Sequence, residues 1–364
     1  NPPGNERAVQ AVVSGFLERL PGVTVTDHGT SPERPTIVAT LAGAHPGPTL
    51  IFAGHVDTVP VGDGWHRDPY GGEVDGGRMF GRGASDMKGG VAGFLVAFER
   101  LAAERATLHG TVVCHVVPDE EPGGQLGTQL LLDRGLIRGD AVVVAEPSEL
   151  AVFAAQKGNL FASLRCTGRS AHGSMPASGI NAISRAMRLG IDLEEHLAPR
   201  LATRSHPLVG AATLSIGTIH GGTRTNVVPD ECIVTVDRRV VPGEQLRDAM
   251  RELEEFVGER ASVTYDHVGA AFDTPRDHWL VRTALAATVR VTGRELPVGG
   301  LVGSSDARFY ADGAGIPTII LGPGSMSQAH VPDESVDLRL LEQSVPIYHE
   351  IARALLRPGT PVVP

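Results

Sequence analysis

Short runs rich in Val, Ile and Leu alternate with helical segments along the N-terminal part of the chain. Strand-like runs at residues 49–53, 111–117 and 141–145 are separated by apolar helical patterns at residues 91–105 and 127–134. A run that is apolar at nearly every position is typical of a strand that is buried on both faces, as in a parallel sheet. The alternation therefore predicts an α/β fold with a largely parallel sheet.

The pattern changes between residues 159 and 270. Residues 160–167 alternate apolar and polar side chains, as a half-exposed strand does, and the predicted order of this region is β-α-β-β-α-β. That order is typical of a ferredoxin-like α+β layer. The first pattern returns with a buried run at residues 317–321. We therefore expect an α/β domain formed by residues 1–158 and 271–364, interrupted by an inserted domain at 159–270.

Composition excludes several classes of partner. The 364 residues carry a net charge of −10 and no basic run, which argues against nucleic acid. No apolar stretch is long enough to span a bilayer. Three scattered cysteines offer no disulfide framework and favour a reducing, cytoplasmic location. The chain begins at Asn1 rather than Met, so the sequence leaves open whether an N-terminal segment was removed.

Candidate ligand side chains follow the predicted strands. In open α/β sheets, ligands bind at the carboxyl ends of the strands, so side chains at those ends converge. Imidazoles mixed with carboxylates are a typical ligand set for zinc or a similar divalent ion. The side chains in question are His55, the pair Glu120 and Glu121, Glu146, His330 in the loop after residue 321, and Asp86 at the opening of a helix.

Each of these residues has an ordinary alternative explanation. Asp86 is placed where a helix N-cap is expected, and Glu146 precedes a proline as a turn residue does. Glu120 and Glu121 read as a solvated loop pair, and His330 as a surface histidine. Five coincidences at one sheet edge are harder to explain in this way, so the metal site is the preferred interpretation.

Two other kinds of site are disfavoured. The glycine-rich loop at residues 81–90 lacks the Gly-Lys-Ser/Thr ending of a P-loop and carries an acid where phosphate would bind. No Gly-x-Ser-x-Gly elbow is present, which argues against a serine hydrolase.

Taken together, these motifs resemble the dinuclear zinc deacylases and exopeptidases related to acetylornithine deacetylase, succinyl-diaminopimelate desuccinylase and glutamate carboxypeptidase. The resemblance covers nearly the whole chain and implies a metallohydrolase domain with an inserted lid and dimerisation domain. It is carried by GHVDTVP at residues 54–60, GRGASDMKG at 81–89, DEE at 119–121, EPS at 146–148 and GSSDARF at 303–309.

The resemblance also implies a role for each candidate residue. Two zinc ions are expected per chain, with Co²⁺ or Mn²⁺ as substitutes. His55 and Glu146 would bind one ion, Glu121 and His330 the other, and Asp86 would bridge them through a segment with a cis peptide to Met87. Asp57 would orient His55, and Glu120 would be the general base for a metal-bridging water.

Substrate recognition is expected to involve the inserted domain. SAHGSMP at residues 170–176 resembles the family's lid motif, in which His172 would help to hold the oxyanion; capping of the helix entry is its alternative. Asn226 would face the substrate. Arg238 and Arg308, with Ser305 beside the latter, are candidates for binding a substrate carboxylate, and a surface salt bridge is the alternative for Arg238.

The leading hypothesis is a zinc-dependent amidohydrolase that cleaves the amide bond of an N-acyl-amino acid, a small-molecule substrate. The alternative is an exopeptidase, such as a dipeptidase, that uses the same site. A non-catalytic binding protein on the same scaffold is disfavoured because Glu120 and the ligand set are complete. A homodimer through the inserted domain is expected because its sheet has an exposable edge.

Overall fold

The strands and helices follow the apolar runs of the sequence. The structure is a computed structural model that describes residues 4–359. The strands are β1 (Val23–Asp27), β2 (Ile37–Ala42), β3 (His45–His55), β4 (Val74–Asp75), β5 (Arg78–Phe80), β6 (His109–Val117), β7 (Ala141–Val144), β8 (Phe153–Gln156), β9 (Gly158–Thr167), β10 (Ala171–His172), β11 (Ser205–His206), β12 (Gly210–Ala211), β13 (Thr213–Gly221), β14 (Val227–Val228), β15 (Glu231–Val240), β16 (Ser262–Gly269), β17 (Phe272–Asp273), β18 (Gly299–Leu301), β19 (Thr318–Ile320) and β20 (Ser335–Asp337).

The α-helices cover both long amphipathic segments and short turns. They are α1 (Arg7–Leu17), α2 (Gly89–Ala103), α3 (Thr128–Asp133), α4 (Ala182–Asp192), α5 (Ala198–Ala202), α6 (Leu246–Val257), α7 (Trp279–Thr292) and α8 (Leu338–Leu355). A π-helical turn at Ala84–Lys88 precedes α2.

The chain divides into two units. Unit 1 contains the residues up to Ala154, Thr274–Gly300 and the residues from Ser305 onwards, and unit 2 contains Ala155–Asp273 and Leu301–Ser304. Unit 2 therefore interrupts unit 1 in the sequence.

The large sheet of unit 1 is parallel at its centre and antiparallel at its flanks. Strands β6, β3, β7 and β19 are neighbours and run parallel, and β3, β7 and β19 are the apolar runs with nearly continuous burial. On one side β2 and β1 add antiparallel strands, and on the other β8 pairs antiparallel with β19. The predicted α/β class with a parallel sheet is confirmed for this central part, while the flanking strands make the whole sheet mixed.

Two helices cover one face of this sheet at its middle strand. Phe52 of β3 stacks on Phe94 of α2 at 5.9 Å and meets Tyr348 of α8 edge-on at 5.5 Å between ring centroids. The Tyr348 hydroxyl donates to the carbonyl of Leu321, just after β19, at 2.7 Å. All three rings are fully buried, and burial of each contributes about 2 to 3 kcal/mol to folding. This packing fixes the strands whose ends carry the candidate ligands.

Unit 2 is a four-stranded antiparallel sheet in the order β13-β15-β9-β16. With helices α4 and α6, the chain order is β-α-β-β-α-β. Alternate residues of β9 and β15 join residues of both helices in one apolar core, for example Leu164, Val234 and Leu253. The even-numbered residues of β15 face this core, and Arg238 is one of them.

The structure also shows the state of the thiols and the character of the helices. Cys114, Cys166 and Cys232 are all free and buried. Within residues 4–359, no helix combines the length and apolarity needed to cross a membrane.

The contact between α2 and α8 requires glycine at position 93. A Cβ atom at Gly93 would collide with the Ser344 hydroxyl and would lie 3.2 Å from a ring carbon of Tyr348. We expect Gly93→Val to lower the free energy of unfolding of unit 1 by about 2 kcal/mol or more, because overpacking forces the helices apart. Urea unfolding followed by tryptophan fluorescence measures this, since Trp65 and Trp279 both belong to unit 1.

Gly15 on α1 is the matched control. A Cβ atom there would meet no atom within 4 Å, so Gly15→Val should leave the urea midpoint unchanged or raise it slightly. Equal midpoints for the two valine variants would show that the α2–α8 contact tolerates a larger side chain.

Candidate metal centre

The central strands end at one edge of the sheet and bring the candidate ligands together. The register pairs His55 at the end of β3 with Val117 at the end of β6, and Val144 at the end of β7 with Ile320 at the end of β19. Because parallel strands point the same way, the loops that follow them share one edge. Glu120, Glu121 and Glu146 lie in these loops, and His330 lies in the loop after β19.

Asp86 lies between the two histidines. Its Oδ1 is 3.3 Å from Nε2 of His55, and its Oδ2 is 3.5 Å from Nε2 of His330. Asp86 belongs to the π-helical turn before α2, and its peptide bond to Met87 is cis. One carboxylate thus presents one oxygen to each imidazole.

Each histidine also faces a glutamate. Nε2 of His55 is 3.8 Å from Oε1 of Glu146 and 4.0 Å from Oε2 of Glu120. Nε2 of His330 is 3.0 Å from Oε2 of Glu121. Ligand atoms also approach within 4.8 Å of one another in the groups His55–Asp86–Glu121 and His55–Glu120–Glu146. All six side chains therefore surround one small space.

Asp57 connects His55 to the loop that carries the glutamates. Its Oδ1 lies 3.4 Å from Nδ1 of His55, and its main-chain oxygen lies 3.1 Å from the same nitrogen. The carboxylate accepts the backbone N–H groups of Glu120 and Glu121, each at 3.1 Å. Burial acts to raise the pKa of Asp57, but these hydrogen bonds lower it, so the carboxylate stays ionised. A proton held on Nδ1 leaves Nε2 of His55 as an electron-pair donor.

The carboxylates at this edge are crowded and buried. Burial raises the pKa of Glu146 well above its usual range, and the nearby charge of Asp86 raises it further. The pKa of Glu120 is also raised, first by burial, while the charge of His55 partly opposes this. Among the described residues, Glu120, Glu121 and Glu146 form no ion pair with Arg or Lys. Such a group of acids favours the binding of a cation.

The raised pKa values of the two histidines also indicate a site that favours positive charge. Hydrogen bonds with Asp86 and Glu121 raise the pKa of His330 to about 10. Burial lowers the pKa of His55, but Asp57 and Asp86 more than reverse this effect. A site that retains protons so strongly attracts any cation, and nitrogen and oxygen donors in this mixture suit a divalent metal ion such as zinc. The residues present therefore fit a site for divalent metal ions such as zinc.

Arg308 and Ser305 lie next to the loop of Glu120. The Arg308 guanidinium donates to the carbonyl of Gly123 at 2.9 Å and stacks over Phe309 at 4.2 Å, and its side chain is buried. Its Nε has no hydrogen-bond partner among the described residues. Ser305 is also buried, and its hydroxyl accepts the N–H of Ala307. Binding of substrate by either residue stays a prediction.

His172 and Asn226 belong to unit 2, where they occupy neighbouring exposed segments. His172 on β10 pairs with Val227 on β14, and the N–H of Gly173 donates to the carbonyl of Asn226 at 2.7 Å. Nδ1 of His172 accepts the backbone N–H of Ser174, so the neutral ring carries its proton on Nε2. The ring thus retains a hydrogen-bond donor, and its role stays a prediction.

The position of Arg238 does not agree with its predicted role as a substrate ligand. Its side chain is 0% exposed, because position 238 lies on the face of β15 that packs against α6. The guanidinium donates to the carbonyl of Ala249 and forms ion pairs with Glu244 at 3.1 Å and Glu252 at 2.8 Å. These contacts belong to a buried structural cluster, so Arg238 does not fit a substrate-binding role.

Two acids near the centre were missed by the sequence analysis. Asp306 is buried and accepts the Thr128 hydroxyl at 2.6 Å, and its charge acts on Glu120. Glu334 is buried and bonds to the segment that carries Asp86. The only signals were an acid inside the motif GSSDARF and an acid four residues after His330, and neither follows a strand end.

Comparison with known proteins gives the family. The sequence profile described as peptidase family M20/M25/M40 matches residues 51–354. An acetylornithine deacetylase from Klebsiella pneumoniae (strain 342) is 32% identical over 80% of this chain and 76% of its own length. A succinyl-diaminopimelate desuccinylase from Acinetobacter baumannii (strain AYE) is 31% identical over 85% of this chain and 84% of its own length.

Solved structures show the same fold at lower identity. An M20 family metallo-carboxypeptidase from Sulfolobus solfataricus superposes with a TM-score of 0.79 at 18% identity, covering 95% of this chain and 93% of its own. A dinuclear metal-binding peptidase of family M20 from Bacillus subtilis gives a TM-score of 0.71 at 19% identity, covering 96% and 92%. The chain is therefore a metal-dependent hydrolase that belongs to peptidase family M20/M25/M40.

Proposed function

We propose that the protein hydrolyses the amide bond of an N-acyl-amino acid at a centre of two zinc ions in unit 1. The observation that carries the proposal is the placement of Asp86, whose two carboxylate oxygens face two different histidines. His55 also faces Glu146, and His330 also faces Glu121. Asp86 would therefore serve two metal ions at once, the donor arrangement that two-metal hydrolases use.

The relatives support an acylated amino acid as substrate. The Klebsiella relative is a deacetylase of an amino acid and the Acinetobacter relative is a desuccinylase. Both align over most of the chain at more than 30% identity. The structural neighbours that are peptidases keep the exopeptidase alternative as the second candidate, because both reactions cleave an amide bond.

Glu120 is the proposed general base. It lies within the ring of ligands, and burial raises its pKa well above the usual range, so the carboxylate can both accept and release a proton. In this role it takes a proton from the attacking water and returns it to the leaving nitrogen. Zinc ions held by these ligands would supply two effects: a lowered pKa of water, about 7, and polarisation of the substrate carbonyl.

Glu120 and Glu121 have different proposed roles, base and metal ligand, although they are adjacent. Their backbone N–H groups both bond to Asp57, which fixes the main chain at this point. The side chain of Glu121 then meets His330, whereas that of Glu120 points towards His55. Because the backbone is fixed and the two side chains diverge, Glu121 can serve as a ligand while Glu120 serves as the base.

Arg308 is the proposed partner of a substrate carboxylate, with Ser305 beside it. The arginine lies against Gly123, in the loop that carries Glu120, and its Nε lacks a hydrogen-bond partner among the described residues. A planar guanidinium binds a carboxylate through two parallel hydrogen bonds. This placement would orient the amino-acid part of the substrate with respect to Glu120.

We infer that the inserted domain expected at residues 159–270, which lies within unit 2, acts as a lid and dimerisation domain. The Nε2–H of His172 supports its predicted role as a donor to the oxyanion, and Asn226 is exposed beside it. Strand β13 is an edge strand with mostly exposed residues, and such an edge can pair with a second copy. The three free thiols support a reducing, cytoplasmic location.

The dimer can be measured directly. We expect light scattering at micromolar concentration to give twice the chain mass of 38.2 kDa. A monomeric mass would exclude dimerisation through β13.

Substrate profiling separates the two candidate functions. We expect the zinc-loaded protein to hydrolyse at least one N-acetyl- or N-succinyl-amino acid with a kcat/KM about tenfold or more above that for any dipeptide. The measurement is release of free amino acid across a panel of both classes. A dipeptide as the best substrate would favour the exopeptidase, and no hydrolysis of either class would contradict both.

Replacement of the base should abolish turnover without loss of metal. Glu120→Gln keeps the size of the side chain but cannot accept a proton, so kcat should fall by about 10² to 10⁴. Glu121→Gln is the matched control, because the neighbouring position is a proposed ligand and its change should lower the metal content. A loss below about tenfold in kcat for Glu120→Gln would rule out Glu120 as the base.

A further inference from the structure

The ion pair between Arg82 and Glu334 lies at the junction of three segments that carry or follow proposed metal ligands. We propose that Glu334 is a positioning residue that sets the affinity of the centre for divalent ions by holding Asp86 and His330 in place. The proposal rests on the proposed function only in requiring that the centre binds metal. Glu334 would touch neither the ions nor the substrate.

Glu334 uses both of its oxygens on the segment of Asp86. Oε1 accepts the backbone N–H groups of Ser85 at 2.9 Å and Asp86 at 3.1 Å. Oε2 accepts the N–H of Gly83 at 3.0 Å and the guanidinium of Arg82 at 2.7 Å. A carboxylate offers about four lone-pair positions, and these four donors occupy them. Glu334 therefore has no oxygen position left for a metal ion.

Arg82 extends this arrangement to two further loops. One guanidinium nitrogen donates to the carbonyl of Val331 at 3.2 Å, next to His330. Another donates to the carbonyl of Val61 at 3.1 Å, in the loop that follows β3 and its terminal His55. Trp65 of the same loop packs against the guanidinium at 5.1 Å. One buried pair thus connects the segments of Asp86, His330 and the exit of β3.

Because both side chains are buried, these contacts are costly to lose. The side chains of Arg82 and Glu334 are only 2% and 1% exposed, so water cannot replace a lost partner. Removing the charge of Glu334 would leave a buried guanidinium and three backbone N–H groups with poorer acceptors. Because the N–H of Asp86 itself is one of these groups, the carboxylate that faces both histidines would lose its anchor. Loss of such an outer partner typically weakens metal binding by about 10- to 100-fold.

The test compares Glu334→Gln with the wild-type protein. Zinc affinity is measured by competition with a chromophoric chelator, and cobalt-loaded protein is examined by visible absorption, so neither measurement depends on hydrolysis. We expect the dissociation constant for zinc to rise about tenfold or more and the cobalt spectrum to change. Glu334→Asp keeps the charge on a shorter side chain and should recover part of the affinity.

Glu252→Gln is the matched control. Glu252 also pairs with buried or half-buried arginines, Arg204 at 2.6 Å and Arg238 at 2.8 Å, but it belongs to unit 2. Its change should lower the melting temperature while leaving the zinc affinity within about twofold and the cobalt spectrum unchanged. A general loss of stability is thereby separated from a loss of ligand positioning.

Each outcome decides the proposal. A zinc affinity within about twofold of wild type in Glu334→Gln, or an equal loss in Glu252→Gln, would overturn it. If Glu334→Gln does not fold, Arg82→Lys is judged by the same criterion, since lysine keeps the charge but loses the fork that reaches Val61 and Val331. Metal binding by wild type without hydrolysis of any substrate would contradict the proposed function alone. No metal binding by wild type would contradict both.

Discussion

The carboxylate of Asp57 is the contact on which the candidate centre depends. It lies against Nδ1 of His55 and accepts the backbone N–H groups of Glu120 and Glu121. The end of β3 is therefore joined to the loop after β6 through a single buried side chain. The parallel register of these strands brings the two segments close, and Asp57 then fixes the direction in which each ligand points. The orientation of the histidine and the separation of the two glutamates follow from the same three hydrogen-bonding partners.

The sequence was sufficient to predict which side chains lie close together at the sheet edge of unit 1. His55, Glu120 and Glu146 each follow a continuous apolar run, and the carboxyl ends of parallel strands meet at one edge. That rule uses only local pattern and the right assignment of strands, so it needs no knowledge of distant contacts. The antiparallel flanks were not predicted, because the direction of β2 relative to β6 depends on pairing between distant segments.

Arg238 shows where a local pattern is insufficient. The alternation along β15 was visible in the sequence, but alternation does not say which face packs against the helices. In the structure the even-numbered positions face α6, and Arg238 is enclosed with Glu244 and Glu252. Glu334 was missed for a related reason: its partners are backbone N–H groups 249 and 248 residues away in the sequence, and a backbone donor leaves no trace in the sequence.

The two units neutralise buried charge in different ways. In unit 2, Glu252 pairs with Arg204 and Arg238, so the cluster is complete within the protein. In unit 1, Glu334 pairs with Arg82, but the candidate ligands Asp86, Glu121 and Glu146 meet imidazoles, whose own pKa values are raised in response. The first arrangement needs nothing from outside the chain, whereas the second is balanced best by an external cation.

The interruption of unit 1 by unit 2 has a consequence for the order in which the protein acquires its parts. All four strands of the antiparallel sheet lie in the sequence between Gly158 and Gly269, so this sheet can form before Leu301–Ser304 of unit 2 and the later parts of unit 1 have been synthesised. Unit 1 is begun earlier but must wait for β19, His330 and α8, which are synthesised after the sheet of unit 2. During this interval Phe52 of β3 lacks its contact with Tyr348 of α8, and the acids at the strand ends lack their second histidine. The candidate centre therefore lacks one of its proposed ligands until His330 has been synthesised, and a protein truncated before His330 would carry the antiparallel sheet of unit 2 without a complete ligand set.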